Sequence, residues 1–192
     1  TDAQYAMDKA EEGHWIRHYV NGSNFGYDCQ RLTVLDSRGE LKPEVREIIR
    51  ICKEDNTVLC SGHISPKECL AVAGYAKEIG FQKVEITHAN AWVEDFTHPV
   101  LRELTGLGAV VSLSYGACSP HNGRQDPEEI LGIIRAVGAE HCIMMTDYGQ
   151  VNSPAPADGL RVFYYLMRKL GCTEEELDRM IRKNPARLLD LE

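Results

Sequence analysis

Three residues have the types and the settings that metal-assisted chemistry requires: His63, His88 and Asp147. Each follows a short apolar run of strand type. Thr57-Val58-Leu59-Cys60 runs into Ser61-Gly62-His63, and Lys83-Val84-Glu85-Ile86-Thr87 runs into His88. The run from Cys142 to Met145 stops at Thr146-Asp147-Tyr148-Gly149-Gln150. Imidazole and carboxylate together suit zinc-type divalent ions, and parallel α/β folds place their chemistry at the C-terminal ends of strands. One His or Asp after a strand is ordinarily a cap or a satisfied polar group. Three in register, each with a helix after it, point to a shared site.

Other polar residues of the sequence are candidates beside these three. Tyr115, His121 and Arg124 fall in the long segment 114–125, and Tyr148 adjoins Asp147. A strand-to-helix connection of that length is unusual, and loops at this end of the fold set substrate choice. Arg124 suits a substrate carboxylate or phosphate as well as it suits a solvated loop, so Arg124, Tyr115 and Tyr148 are the substrate-binding candidates. His14 and His18 share a helix face, but His14-Trp15-Ile16-Arg17-His18 lacks the glutamate of the H-E-x-x-H motif. His98 stands before Pro99 near a helix start, and Asp158 reads as a helix cap. No Cys–His nucleophile pairing is evident.

The elements that must position these residues follow from hydrophobic periodicity and capping signals. Strands are predicted over 32–35, 57–60, 83–87, 109–113 and 142–145. Helices are predicted over 2–19, 43–53, 66–79, 127–136 and 158–170, followed by a shorter one capped by Thr173-Glu174-Glu175-Glu176 and a last short one after Asn184-Pro185. A less regular region is expected from His88 to Thr105. Ser65-Pro66-Lys67-Glu68 and Asp126-Pro127-Glu128-Glu129 are well-specified helix starts, each with a cap, a proline and a glutamate three residues on. Strands alternating with helices imply a parallel sheet and a single domain over 1–192. The dinucleotide fingerprint, the P-loop and the G-x-S-x-G elbow are absent. Ligands arriving from successive strand ends favour a (β/α) barrel of TIM type, of which this chain carries about strands four to eight and the terminal helices.

Composition bounds the rest. The 192 residues are 43% hydrophobic, 26% charged and 7% aromatic, enough for one domain with a core. No apolar run approaches the roughly 18 residues of a membrane helix, and no signal-peptide pattern opens the chain. With a formal charge of −8 and no Lys/Arg-rich run, nucleic acid is not an expected partner. Seven cysteines without a C-x-x-C pair read as reduced core thiols of a cytoplasmic protein.

The ordered set Ser61-Gly62-His63, Ile86-Thr87-His88, Thr146-Asp147 and Asn184-Pro185-Ala186-Arg187-Leu188-Leu189 resembles the C-terminal half of the amidohydrolase superfamily, over about residues 31 to 191. Within it the sequence looks most like phosphotriesterase- or amidohydrolase-like proteins. The resemblance implies a metal-dependent (β/α)₈ barrel with His63 as metal ligand. It makes His88 a ligand to a second metal or a hydrogen-bonding group near the substrate. Asp147 would both ligate the metal and act as general base toward its water. The implied cofactor is a divalent metal, one or two zinc ions, with Mn or Fe as alternatives. The His-x-His of the superfamily's first strand and the lysine of its fourth are absent from this sequence, and Asp36 stands at the end of the strand in the fourth position. The expected partners are a small-molecule substrate and either a second copy of the chain or an N-terminal half.

The resulting expectation is a metal-dependent hydrolase of a small polar amide, ester or phosphoester. Two other readings compete with it: a metal-dependent decarboxylase or lyase on the same scaffold, and a non-catalytic subunit or degenerate barrel.

Overall fold

The computed structural model describes residues 3–13, 32–91, 95–119, 125–151 and 153–191. Four strands, β1 (Leu59–Cys60), β2 (Val84–Ile86), β3 (Val110–Ser114) and β4 (Cys142–Met145), form one parallel sheet in chain order. Leu59 pairs with Val84, Glu85 with Val110 and Val111 with Cys142. Because parallel neighbours need a crossover, a helix separates each pair: α3 (Pro66–Glu78), α4 (His98–Gly106) and α5 (Pro127–Val137). Helices α1 (Gln4–Gly13) and α2 (Pro43–Glu54) precede the sheet. After it come α6 (Pro156–Lys169), α7 (Glu174–Asp178) and α8 (Asn184–Leu188). No helix among the described residues is long and apolar enough to cross a membrane.

Alternation along the strands divides the sheet into two faces. Val84, Ile86, Val111, Leu113, Cys142 and Met144 point to one side. There they join Val72 and Ala76 of α3, Leu101 and Leu104 of α4, Ile130 and Ile134 of α5, and Phe163 and Met167 of α6 in one apolar core. Cys60, Glu85, Val110, Ser112, Ser114, Ile143 and Met145 alternate with that set and stand outside this core. Glu85, Ser112 and Ser114 are nonetheless buried.

The capping boxes at Ser65/Glu68 and Thr173/Glu176 form as read from the sequence, and Asp126 caps α5 by accepting from the Glu128 N–H. Glu68 goes further: its second carboxylate oxygen accepts the Val34 N–H at 2.9 Å. That bond accounts for one departure from expectation. Segment 32–35 is not a fifth strand of the sheet but makes only isolated bridges, Leu32 with Ala3 and Leu35 with Leu41. Its donor is taken by Glu68, and the turn over Asp36 to Gly39 folds it back so that Asp36 and Lys42 bond to Glu40 and Val34 instead. The described residues therefore form a four-stranded parallel sheet, of which β1 and β4 are the two edges among them.

Helix α4 lies inside the region read as less regular; Thr97-His98-Pro99 starts it, and Leu101 and Leu104 anchor it at 0% exposure. Asp158 does not cap α6. The cap position is Ala155, without a side-chain bond, and Asp158 instead pairs with Arg161 at 2.8 Å in the first turn. Asn184-Pro185 does not break the chain either, because a π-helical stretch, Arg179–Lys183, carries α7 directly into α8. The wider turn accommodates a proline that has no N–H to give. The first helix is described only to Gly13, so His14 and His18 lie outside the described residues.

Candidate metal and catalytic site

Each of the three strand ends makes a left-handed turn. Gly62, just before His63, has φ +58°, His88 itself has φ +34° and Asp147 has φ +55°. For an L-residue with a side chain this conformation costs on the order of 1 kcal/mol. It swings the residue out of the sheet's alternation at the point where the strand ends.

His63 and His88, from neighbouring strands, come together with ring centroids 4.5 Å apart and planes tilted by 38°. Their two turns are cross-braced. The Thr87 N–H donates to Ser61 Oγ at 3.0 Å, and Thr87 Oγ1 accepts from the Gly62 N–H at 3.4 Å. The same hydroxyl donates to Glu85 Oε2 at 2.6 Å. His88 is buried, at 6% exposure, whereas Asp147 is exposed.

Two glycines from different elements hold the Asp147 strand end. Gly116, after β3, donates its N–H to Thr146 O at 2.9 Å. A Cβ there would stand 2.8 Å from that oxygen and 3.5 Å from Asp147 Cβ. On the other side Gly159 of α6 lies against Tyr148, where a Cβ would meet ring carbon Cδ2 at 2.7 Å. Tyr148 faces Tyr115 at 6.1 Å, and Tyr115 stacks on Phe163 at 5.5 Å. Burial, and then the neighbouring Cys118, raises the Tyr115 phenol above its ordinary value. Burial, followed by Tyr115, does the same for Tyr148. Both therefore keep their protons at neutral pH and stay hydrogen-bond donors.

The sequence candidates are thus partly brought together. His63 and His88 are in contact, Tyr148 adjoins Asp147 in the chain, and Tyr115 faces Tyr148. Asp147 lies just past the end of β4, and β3 separates that strand from β2, the strand before His88. Among the described residues no three His, Cys, Asp or Glu side chains form a metal-holding group. Arg124 and His121 lie outside the described residues. His98 stays apart from the pair: it lines a cavity of about 390 Å³ with Asn90, Asp95, Phe96, Gln125 and Glu129. Asp36 is occupied in its own turn, accepting from the Arg38 and Glu40 N–H groups. The Glu40 bond is the main cause holding its carboxyl below the usual range.

Two supporting residues escaped sequence reasoning. Asn90 is buried and locks the end of β3, donating to Ser114 O at 3.0 Å and accepting from the Ser114 N–H at 2.7 Å. Its only signal was its place two residues after His88. Glu85, buried within an otherwise apolar strand, offered a clearer one: a charge where the pattern calls for none. For a divalent ion, the two touching imidazoles are suitable as two of its donors, and a buried carboxylate reaches the turns that carry them.

A family model matches residues 2–112, more than half of the chain, and the chain belongs to that family, a family of unknown function (DUF6282). His63 and His88 fall within the matched stretch and Asp147 beyond it. No curated protein matches. Among solved structures, the chain is similar to a crystal structure of the dipeptidase AC, a metallopeptidase of family M19. The TM-score is 0.62 at 20% sequence identity, covering 79% of this chain and 48% of that one. The likeness is one of fold, and the chain spans about half the length of that structure.

Proposed function

We propose that this member of a family of unknown function is a metal-dependent hydrolase of a small polar amide, ester or phosphoester, within a (β/α)-barrel framework. The observation that carries the reading is the contact of the His63 and His88 imidazoles at adjacent strand ends, on a sheet whose fourth strand is followed two residues later by Asp147. The fold likeness to a metallopeptidase is consistent with it.

His63 and His88 would hold the ion, most plainly zinc, from its nitrogen side. A bound divalent ion supplies polarisation, lowering the pKa of a water to about 7. Asp147 is the group to accept the proton of the attacking water on a carboxylate oxygen and return it to the leaving group. Its exposure at the strand end leaves that oxygen accessible to substrate. Tyr115 and Tyr148, protonated at neutral pH, donate hydrogen bonds to the substrate's carbonyl or phosphoryl oxygen, the role electrostatic stabilisation requires. Arg124 is assigned to a substrate anion on its residue type alone.

The test is cobalt(II) titration of chelator-free chain, followed by hydrolysis assays on amide, ester and phosphoester panels. His63→Ala and His88→Ala should each weaken cobalt binding by roughly 100-fold, the upper end of what even outer-shell partners contribute. Asp147→Asn should lower kcat far more than it raises KM. If the chain binds no cobalt, or both histidine variants bind it unchanged, the hydrolase reading is wrong. Release of CO₂ from candidate acids in place of hydrolysis would favour the lyase chemistry instead.

A further inference from the structure

Glu85 is a charged residue in the middle of a buried strand, at 7% exposure. Among the described residues no Lys, Arg or His forms an ion pair with it, although eleven other pairs of these residues do pair their charges. Its partners are neutral: the Thr87 hydroxyl at 2.6 Å and the thiol of Cys60, the residue paired with it across the strands. A buried carboxylate is ordinarily compensated by a cation or a metal. Here the carboxylate points along its strand toward Thr87, and Thr87 Oγ1 in turn receives the Gly62 N–H. One hydroxyl therefore connects the carboxylate both to the turn before His63 and to the residue before His88.

We propose that Glu85 is the charge-compensating and positioning residue of a divalent-cation site at the His63–His88 pair, acting through Thr87 on both ligand-bearing turns. This rests on the hydrolase reading for the site itself and adds to it a buried carboxylate that is tied through Thr87 to both histidine-bearing turns. The ligand class is fixed by the same argument. A buried carboxylate bonded to the turns that carry two imidazole donors favours a divalent cation over an anionic occupant.

The proposal makes two effects of one substitution run in opposite directions. Glu85→Gln keeps size and a hydrogen-bond acceptor for Thr87 but removes the charge. In the metal-free chain the melting temperature should rise, because an uncompensated buried charge is gone. Cobalt(II) affinity should fall about tenfold, the lower end of the outer-shell range. The cobalt visible spectrum at saturation should keep its shape, since Glu85 is not a ligand. Thr87→Val, which removes the connecting hydroxyl, should weaken cobalt binding while lowering the metal-free melting temperature. Equal cobalt affinity for wild type and Glu85→Gln overturns the inference and leaves the hydrolase reading standing. A lowered metal-free melting temperature in Glu85→Gln makes the residue a structural brace only, which also overturns it. A changed spectrum makes it a ligand and overturns the positioning role. No cobalt binding by the wild type, or unchanged binding after both histidine substitutions, removes the hydrolase reading and this inference together.

Discussion

At the scale of single residues, the candidate site is marked by backbone conformations that its side chains do not favour. His88 and Asp147 both have positive φ, and a strained position is kept where the surrounding structure, or a function, requires it. Asp147→Gly should therefore raise stability by up to about 0.5 kcal/mol, the left-handed cost relieved less the extra chain entropy of glycine. Urea midpoints of the two proteins check this, and a lower midpoint would mean that the Asp147 side chain supports the fold. Cys60 gives a second prediction. Burial, then the charge and hydrogen bond of Glu85, push its thiol up to about 11 although the residue is exposed. Alkylation at pH 8 should be slow, because the thiolate is the nucleophile, and Glu85→Gln should speed it; mass spectrometry of the Cys60 peptide over time gives both rates. The positions of His63, His88 and Asp147 just past strand ends were legible in the sequence because each follows an apolar run with a polar group. The burial of Glu85 was not, since a period-two pattern does not tell which face of a strand is covered.

Elements show why some of the chain was readable and some was not. Capping is a local matter settled within four residues, so the starts of α3 and α7 were plain from Ser65/Glu68 and Thr173/Glu176. Segment 32–35 looks like a strand by composition, but Glu68, 34 residues further on from Val34, takes the Val34 N–H. No local pattern contains that contact. Glu68→Ala removes the acceptor for the Val34 and Ser65 N–H groups and for the Ser65 hydroxyl, and should cost about 2–3 kcal/mol. Glu68→Gln should recover little of it, because its amide places donors against one of those donors. The Asn184-Pro185 signature also gains a physical reading. Asn184 is buried and its Nδ2 donates to Ala139 O at 2.8 Å and Cys142 O at 2.6 Å, holding α8 to the start of β4. Asn184→Ala leaves both carbonyls without that donor and should cost about 2–3 kcal/mol. Chemical denaturation measures both losses; a change below about 0.5 kcal/mol, the range of ordinary surface substitutions, would remove these braces from the account.

For the whole molecule, the parallel sheet and its helices were readable because alternation of strand and helix leaves few arrangements open. Its extent was not, since pairing depends on partners distant in sequence. The exposed charge pairs give the molecule its expected acid behaviour. Arg182, then Lys183, hold the Asp178 carboxyl down to about 2, and Arg135 lowers that of Glu176. Folded-state values below the ordinary carboxylate value near 4 give stability that is fully present above that value and is lost as pH falls toward about 2. The melting temperature should decline across that interval, and Asp178→Asn should flatten the decline. A slope identical to the wild type would show that Asp178 carries none of it. Asp190 is fastened to the opposite end of the sheet from the histidines, accepting from Asn56 Nδ2 at 2.6 Å and pairing with Lys83, both of which lie ahead of their strands. A molecule immobilised through that corner holds the starts of β1 and β2 against the support and carries the histidine turns at the far ends of the same strands, away from it.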